Sequence, residues 1–258
     1  MIDNSDLTPR QSEILQMVAE HGYATLESLA QRFDVSVQSI RRDIIHLDRL
    51  RLLQRFHGGA GSMDTTVRLG YAEKSTRAAA AKTQIGRAAA RLVSDGAAVF
   101  LDVGTTVEAV ASALKARDIR LHVFTNSLAC AALLAGGADM SVHVFGGSLH
   151  GADGSLVGAT TLAGIEAIHF DHAFIGFSGF AADGAVLDYD LEKIAIKRAA
   201  MRRSVQSILV GDQSKFGRRA IATIGAPSDF SHLVTDASPP DFLLSSFARA
   251  RLEVVTAG

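Results

Sequence analysis

The chain has 258 residues, of which 48% are hydrophobic and 21% are charged, and its formal net charge is −1. This composition fits an ordinary globular protein and excludes a broad electrostatic hold on nucleic acid. No apolar run reaches the ~18–20 residues of a membrane span, and no signal peptide is recognisable. The single cysteine, Cys130, cannot form an internal disulfide. We therefore expect a cytoplasmic protein that makes no membrane contact.

Three helix signals follow one another near the start of the chain. Thr8, Pro9 and Gln11 have the spacing of a capping box with proline at the first helical position. Thr25 is placed to cap a second helix and Ser36 a third. Together they predict a helix-turn-helix unit in residues 1–60. Its first two helices present apolar stripes, formed by Ile14, Met17 and Val18 and by Leu26, Leu29, Ala30 and Phe33.

The third helix separates an apolar face from a polar one. At ~100° per residue, its apolar face consists of Val37, Ile40, Ile44 and Leu47. On the other face, Gln can pair with adenine and Arg with guanine in the major groove, while Ser hydroxyls and the helix N-terminus suit phosphates. A hairpin-like run then carries further positive charge, as the wing of a winged helix does. The candidate DNA-binding residues are Ser36, Gln38, Ser39, Arg41, Arg42, Arg49, Arg55 and His57.

The alternative for this region is a solvated helix face in a small helical domain. Residues 1–60 contain seven Arg and no Lys against eight Asp and Glu, so the region as a whole is not basic. Charge alone does not decide between the two interpretations. The order and spacing of the helices, followed by the wing, favour DNA binding.

From residue 84 onward, strand-like and helix-like segments alternate, after a polar and then alanine-rich linker over residues 61–83. Such alternation predicts an α/β domain over residues 84–258, with an open, mostly parallel sheet and helices on both faces. The expected strands are 97–102, 121–124, 141–145, 173–175, 207–210, 233–235 and 252–255. The linker is expected to run into a helix that continues through Ile85, Ala89 and Leu92, and the other expected helices are 107–115, 128–134 and about 190–203.

Polar loops follow the first three of these strands, at Asp102–Thr106, Thr125–Ser127 and Gly146–Ser148. Glycines let the backbone approach a ligand, and helix N-termini favour anions, so the three loops together predict a site for a small phosphorylated ligand. Candidate cations for it are Lys197, Lys215 and Arg218. The alternative is that each is a surface cation or an ion-pair partner of Glu192 or Asp212.

The sequence also allows two other classes of site, a catalytic site and a metal site. Asp102, Lys197 and Glu192 could abstract a proton beside a phosphate anchor, as in an isomerase, but no compact catalytic constellation stands out. His143, His150, His169 and His172 lack the spacing of metal ligands. We therefore expect a protein that is not an enzyme and has no metal or other cofactor. A purely architectural DNA binder is disfavoured, because the second domain is three times the size of the first.

The chain resembles the DeoR-type bacterial repressors over nearly its whole length. In the first domain the resemblance rests on SVQSIRRDI from Ser36 to Ile44 and on LLQRFHGGA up to Ala60. In the second domain it rests on DVGTT, TNSL, FGG, FIGFSG, KRA and DQSKFGR. The resemblance implies a winged helix-turn-helix domain followed by a sensor domain with a sugar-phosphate-isomerase-like α/β fold. It also implies operator DNA and a phosphorylated sugar or polyol as partners.

Within that family, DVGTTVEAVASAL from Asp102, DGAVLDYD from Asp183 and TDASPP at 235–240 resemble members that control glycerol metabolism. This narrower resemblance implies glycerol 3-phosphate as the effector, with Asp188 or Asp190 near its hydroxyls. A homo-oligomer, dimer or tetramer, is expected, because one recognition helix reads only a few base pairs. Another sugar phosphate is the alternative effector. The candidate effector-binding residues are Asp102, Gly104, Thr105, Thr106, Asn126, Gly147, Lys197 and Lys215.

Overall fold

The computed structural model describes residues 7–21, 23–50, 52–56, 59–62, 78–151 and 153–258. The chain divides into two compact units, Met1–Leu69 and Gly70–Gly258. Each unit has its own hydrophobic core. No helix in the described ranges is long and apolar enough to span a membrane.

The first unit packs three helices against a small antiparallel sheet in the strand order β1-β3-β2. Ile14, Leu29, Ile40, Ile44 and Leu47 are fully buried in its core, as the apolar stripes predicted. The elements are α1 (Pro9–His21), β1 (Tyr23–Thr25), α2 (Leu26–Phe33), α3 (Val37–Arg49), β2 (Leu53–Phe56) and β3 (Gly59–Ser62). Strand β1 was not expected, because three residues are too few to show an alternating pattern.

The predicted caps set where these helices begin. Thr8 and Gln11 form the capping box of α1, since the Gln11 N–H donates to Thr8 Oγ1 at 3.3 Å and the Thr8 N–H donates to Gln11 Oε1 at 3.1 Å. Thr25 and Ser36 cap α2 and α3 by accepting from the N–H three residues further on, at 3.0 and 3.2 Å. These bonds satisfy amide groups that a helix N-terminus otherwise leaves without partners.

The second unit is built on a seven-stranded sheet in which every pair of neighbours is parallel, in the order β15-β14-β12-β9-β4-β5-β6. Its strands are β4 (Ala98–Leu101), β5 (Leu121–Thr125), β6 (Met140–Val144), β9 (Phe170–Ile175), β12 (Ser204–Val210), β14 (His232–Thr235) and β15 (Glu253–Thr256). The predicted α/β fold with a parallel sheet is confirmed.

Helices cover both faces of this sheet. Side chains alternate along β4, so that Val99 and Leu101 join one core cluster and Phe100 joins the other. The first face is covered by α4 (Ala79–Ala90), α5 (Thr105–Lys115) and α6 (Leu128–Leu134), and the second by α7 (Ala159–Glu166), α8 (Leu191–Arg202) and α9 (Asp241–Ala250). Both ends of the segment expected as a linker, 61–83, are regular structure, since β3 extends to Ser62 and α4 begins at Ala79.

Several short elements of the second unit were not predicted. They are the hairpin of β7 (Ser148–His150) and β8 (Ser155–Val157), the antiparallel sheet of β10 (Gly179–Phe180), β11 (Val186–Asp188) and β13 (Ala222–Gly225), and the helices α7 and α9. Each of these strands has only two to four residues, too few for a periodic pattern.

The strand order reverses at β4, which lies between β5 and β9. Leu101 of β4 is in register with Thr125 of β5 and Phe174 of β9. The residues that follow these three strands therefore emerge together at the carboxyl edge of the sheet. In open parallel α/β sheets, ligands bind at such a switch point.

Candidate nucleic-acid interface and ligand pocket

The polar face of α3 is open to solvent. Ile40, Ile44 and Leu47 anchor the opposite face in the core. Arg41 lies at the flank, where its Nη1 donates to Gln38 Oε1 at 3.3 Å. Of the predicted DNA-contacting residues on and before this helix, Ser36, Gln38, Arg41, Arg42 and Arg49 are exposed and Ser39 is half-buried. A helix held in this way presents one row of donors to a groove.

Asp43 orients α3 from its buried side, and sequence reasoning missed this role. The Arg10 guanidinium contacts Asp43 Oδ2 through Nε and Nη2, both at 2.7 Å, and Gln11 Nε2 donates to Asp43 Oδ1 at 3.0 Å. The sequence did contain a signal for this role, because Asp43 lies among the apolar positions of α3. A buried charge there requires partners from another element. The network ties α3 to the first turn of α1.

The wing is formed by β2 and β3, which pair in antiparallel register. Arg55 is exposed on β2, and its backbone N–H donates to Asp48 Oδ1 at 3.0 Å, which joins the wing to the end of α3. His57, the last predicted DNA-contacting residue, lies outside the described residues.

At the carboxyl edge of the large sheet, three charged side chains form a buried cluster. Asp102 follows β4, Asp188 ends β11 and Lys197 lies in α8. Lys197 Nζ donates to Asp102 Oδ2 and lies 3.4 Å from Asp188 Oδ2. Asp102 Oδ2 also accepts the Gly176 N–H at 3.0 Å. Lys197 is therefore an ion-pair partner, but of Asp102 and Asp188 rather than of Glu192 or Asp212.

The pKa values within this cluster follow from burial and charge. Burial alone would lower the pKa of Lys197, but the two carboxylates outweigh it and hold that pKa above its ordinary value. Burial raises the pKa of Asp102 in spite of Lys197. At Asp188, burial also acts to raise the pKa, but the charge of Lys197 and the Ser178 hydrogen bond, at 2.7 Å, lower it overall. The geometry makes Lys197 the cation shared by the carboxyl groups of Asp102 and Asp188.

The buried polar atoms at this edge include two acceptors beside the cluster that have no hydrogen-bond partner within the described part of the chain. They are Asp102 Oδ1 and Asn126 Oδ1, and both side chains are fully buried. The amide of Asn126 is held by its other end, where Nδ2 donates to Leu156 O at 3.0 Å. A buried acceptor without a donor costs roughly 1–3 kcal/mol. The pair is therefore suited to donors supplied by a ligand or by water.

The N-terminus of α5 opens onto the same edge. Gly104 precedes the helix with φ +122°, a value that favours glycine, and a Cβ there would meet only open space. Thr105 is half-buried and Thr106 is buried. A helix N-terminus with hydroxyls and an unobstructed glycine favours an anion.

Lys215 and Gly147 occupy different surroundings. Lys215 is half-buried in the short turn Gln213–Lys215 after β12, and its charge acts on Asp188 and Asp212. Gly147 follows β6, and a Cβ there would lie 2.1 Å from Thr161 Oγ1. Packing against α7 therefore accounts for the glycine at 147, whereas Lys215 lies beside the cluster.

The two aspartates expected near the ligand, Asp188 and Asp190, lie in different surroundings. Asp188 belongs to the buried cluster, but Asp190 caps α8 and its Oδ2 lies 2.6 Å from His150 Nε2. Glu192 Oε2 lies 3.1 Å from His150 Nδ1, so the grouping of Asp102, Lys197 and Glu192 that an isomerase would need is not formed. The described residues contain no group of three His, Cys, Asp or Glu side chains that could hold a metal ion.

A winged helix-turn-helix unit followed by a parallel α/β unit with buried polar groups at the carboxyl edge of its sheet is the architecture of two-unit transcriptional regulators. The sequence matches the DeoR-like helix-turn-helix domain over residues 10–66 and the DeoR C terminal sensor domain over residues 77–237. The chain belongs to the DeoR family, and it is a transcriptional repressor rather than an enzyme.

Relatives in this family align over most of their length. The glycerol-3-phosphate regulon repressor of Haemophilus influenzae is 38% identical, over 89% of this chain and 89% of its own. That of Escherichia coli is 36% identical, over 90% and 92%. Among solved structures, the probable sor operon regulator of Shigella flexneri has a TM-score of 0.46 at 16% identity, over 64% and 88%. Ribose 5-phosphate isomerase of Methanocaldococcus jannaschii has a TM-score of 0.40 at 14% identity, over 54% and 55%.

Proposed function

We propose that this repressor binds a partly palindromic operator as a homo-oligomer in the cytoplasm, with α3 of each copy in the major groove. The observation that carries the proposal is the exposed row of Gln38, Arg42 and Arg49 on a helix whose other face is buried. Arg and Gln side chains would read base edges, while Ser36, Ser39 and Arg55 would contact phosphates. The network around Asp43 keeps this row facing outward.

We further propose glycerol 3-phosphate as the effector. This ligand has one phosphate and two free hydroxyls. The turn Gly104–Thr106 would take the phosphate, with Lys215 as its cation, and the two hydroxyls would donate to Asp102 Oδ1 and Asn126 Oδ1. The names of the relatives from Haemophilus influenzae and Escherichia coli support the same ligand. Other sugar phosphates share the phosphate and some of these hydroxyls, so a different one is the second candidate.

Repression is controlled if the effector binds more tightly to a state with low operator affinity. The difference in effector affinity between the two states then sets the change in operator affinity. Glycerol 3-phosphate is expected to release the operator.

A thermal-shift panel followed by operator binding tests the proposal. Glycerol 3-phosphate is compared with glycerol, inorganic phosphate and several sugar phosphates. A ligand at 100 times its Kd adds about 2.7 kcal/mol to stability, which gives a measurable shift. We expect a selective shift with glycerol 3-phosphate, release of operator DNA by the same compound, and loss of both responses in Thr105→Val. A larger shift with another sugar phosphate would identify that compound as the effector instead. If no phosphorylated compound shifted the Tm, the proposed phosphate site would be wrong.

A further inference from the structure

A buried lysine lies in the first turn of α4, the first helix of the second unit. Lys82 is only 7% exposed, although lysine is almost never buried without opposite charge nearby. Residues 63–78 connect β3 of the first unit to this helix in sequence. The first turn of α4 is therefore the first described helical turn that follows this connection in sequence.

Lys82 shares its surroundings with the proposed phosphate site. It lines a groove of about 680 Å³ between α4 and α5, together with Thr105 and Glu108. Burial acts to raise the pKa of Asp212, but hydrogen bonds from Ser214 and the charges of Lys215 and Lys82 hold that pKa below its ordinary value. Lys82 is thus within electrostatic reach of Asp212, which lies beside Lys215.

Helices α4 and α5 are in contact through their backbones. A Cβ built on Gly86 of α4 would lie 2.4 Å from the carbonyl oxygen of Ala109 in α5. Backbone contact of this kind leaves no compressible side chain between the helices. In a close-packed interior, a displacement of α5 at this point would have to be accommodated by α4.

We propose that Lys82 is the positioning residue through which an anion bound at Gly104–Thr106 moves the first turn of α4 and so acts on the connection to the DNA-binding unit. The inference rests on the proposed effector site. A bound phosphate attracts Lys82 across the shared groove, in competition with Asp212 and Glu108. The helix then shifts with its lysine, and the state that binds operator weakly is favoured.

The test is a binding cycle with glycerol 3-phosphate and operator DNA as the probes. Operator Kd is measured with and without glycerol 3-phosphate, and the Kd of glycerol 3-phosphate is measured with and without operator, because coupling is reciprocal. In the unaltered protein both ratios should be about 10-fold or more, within the usual range for allosteric coupling. In Lys82→Met both ratios should fall to about 2-fold or less while glycerol 3-phosphate still raises the Tm, and Lys82→Arg should restore them.

Arg87→Met is the matched control, because Arg87 is exposed on the same helix and lines the same groove. It should keep the coupling of the unaltered protein. Unchanged coupling in Lys82→Met overturns the inference, and so does loss of its thermal shift, since Lys82 would then be a binding residue. If Lys82→Met does not fold, Asp212→Asn makes the same test, because it removes the carboxylate that competes with the phosphate for Lys82. Coupling ratios that Asp212→Asn leaves unchanged overturn the inference. An unaltered protein that responds to no phosphorylated compound overturns the effector proposal together with this one.

Discussion

At Lys197, the identity of the ion-pair partners depends on contacts between residues that are distant in sequence. Lys197 Nζ donates to Asp102 Oδ2, which is 95 residues away, and lies 3.4 Å from Asp188 Oδ2. Strand and helix periodicity place Asp102 at the end of β4 and Lys197 mid-helix. They do not give the rotation of α8 that brings Nζ to the sheet edge, so the pair could not be predicted from the sequence.

We expect Lys197→Met to destabilise the protein by about 3–5 kcal/mol, because it leaves the buried carboxyls of Asp102 and Asp188 without their cation. The free energy of unfolding in urea measures the loss. Lys115→Met is the control, because Lys115 is exposed and donates to the carbonyls of Leu133 and Ala135. That control should cost about 1 kcal/mol or less. Equal stability of the two variants would contradict a buried ion cluster.

The face of α3 is a case in which sequence reasoning located the candidate side chains. Arg42 was expected on the polar face and is exposed there. Its partner in an operator is still a prediction. Arg42→Ala should lose roughly 1–3 kcal/mol of operator binding at one base pair and relax specificity there.

Fluorescence anisotropy with single-base operator variants measures this loss. Arg32→Ala removes an exposed arginine of α2 that pairs with Glu13 at 3.1 Å, and it should leave base preference unchanged. A uniform loss over all sequences in Arg42→Ala would instead assign Arg42 to a phosphate.

Among whole elements, long periodic segments were predictable and short non-local ones were not. Helix α6 was expected over 128–134 and lies at Leu128–Leu134, because its Ser127 cap and apolar run are local signals. Strands β10, β11 and β13 pair residues as far apart in sequence as Val186 and Gly225, and strands of two to four residues show no periodic pattern. Asp188 belongs to this small sheet, so its place in the candidate site could not be predicted from local sequence patterns either.

The packing of α4 on α5 predicts a cost at a glycine that has no special backbone angle. Gly86→Ala places a Cβ 2.4 Å from backbone of Ala109, and backbone cannot rotate away as a side chain can. We expect a destabilisation of about 1–3 kcal/mol, although alanine is the better helix former. The midpoint of urea unfolding should be lower for this variant than for Gly146→Ala, whose Cβ would meet nothing within 4 Å. If Gly86→Ala matched the unaltered protein, α4 and α5 would not be held together at this point.

At the scale of the whole molecule, a net charge of −1 leaves little general attraction for DNA. One α3 contacts only a few base pairs, so the proposed repressor needs two copies on one operator to reach useful affinity. Two copies on one face of the duplex place their helices about 34–36 Å apart, or one helical turn.

Inserting five base pairs between the half-sites rotates one of them by about half a turn to the opposite face. High-affinity binding should then fall to the level of a single half-site, and an insertion of ten base pairs should bring the half-sites back to the same face. Gel-shift titrations of the three operators at one salt concentration measure this, because phosphate contacts make every Kd depend on salt. Equal affinity for all three would mean that each copy binds alone, and the proposed oligomer on DNA would be wrong.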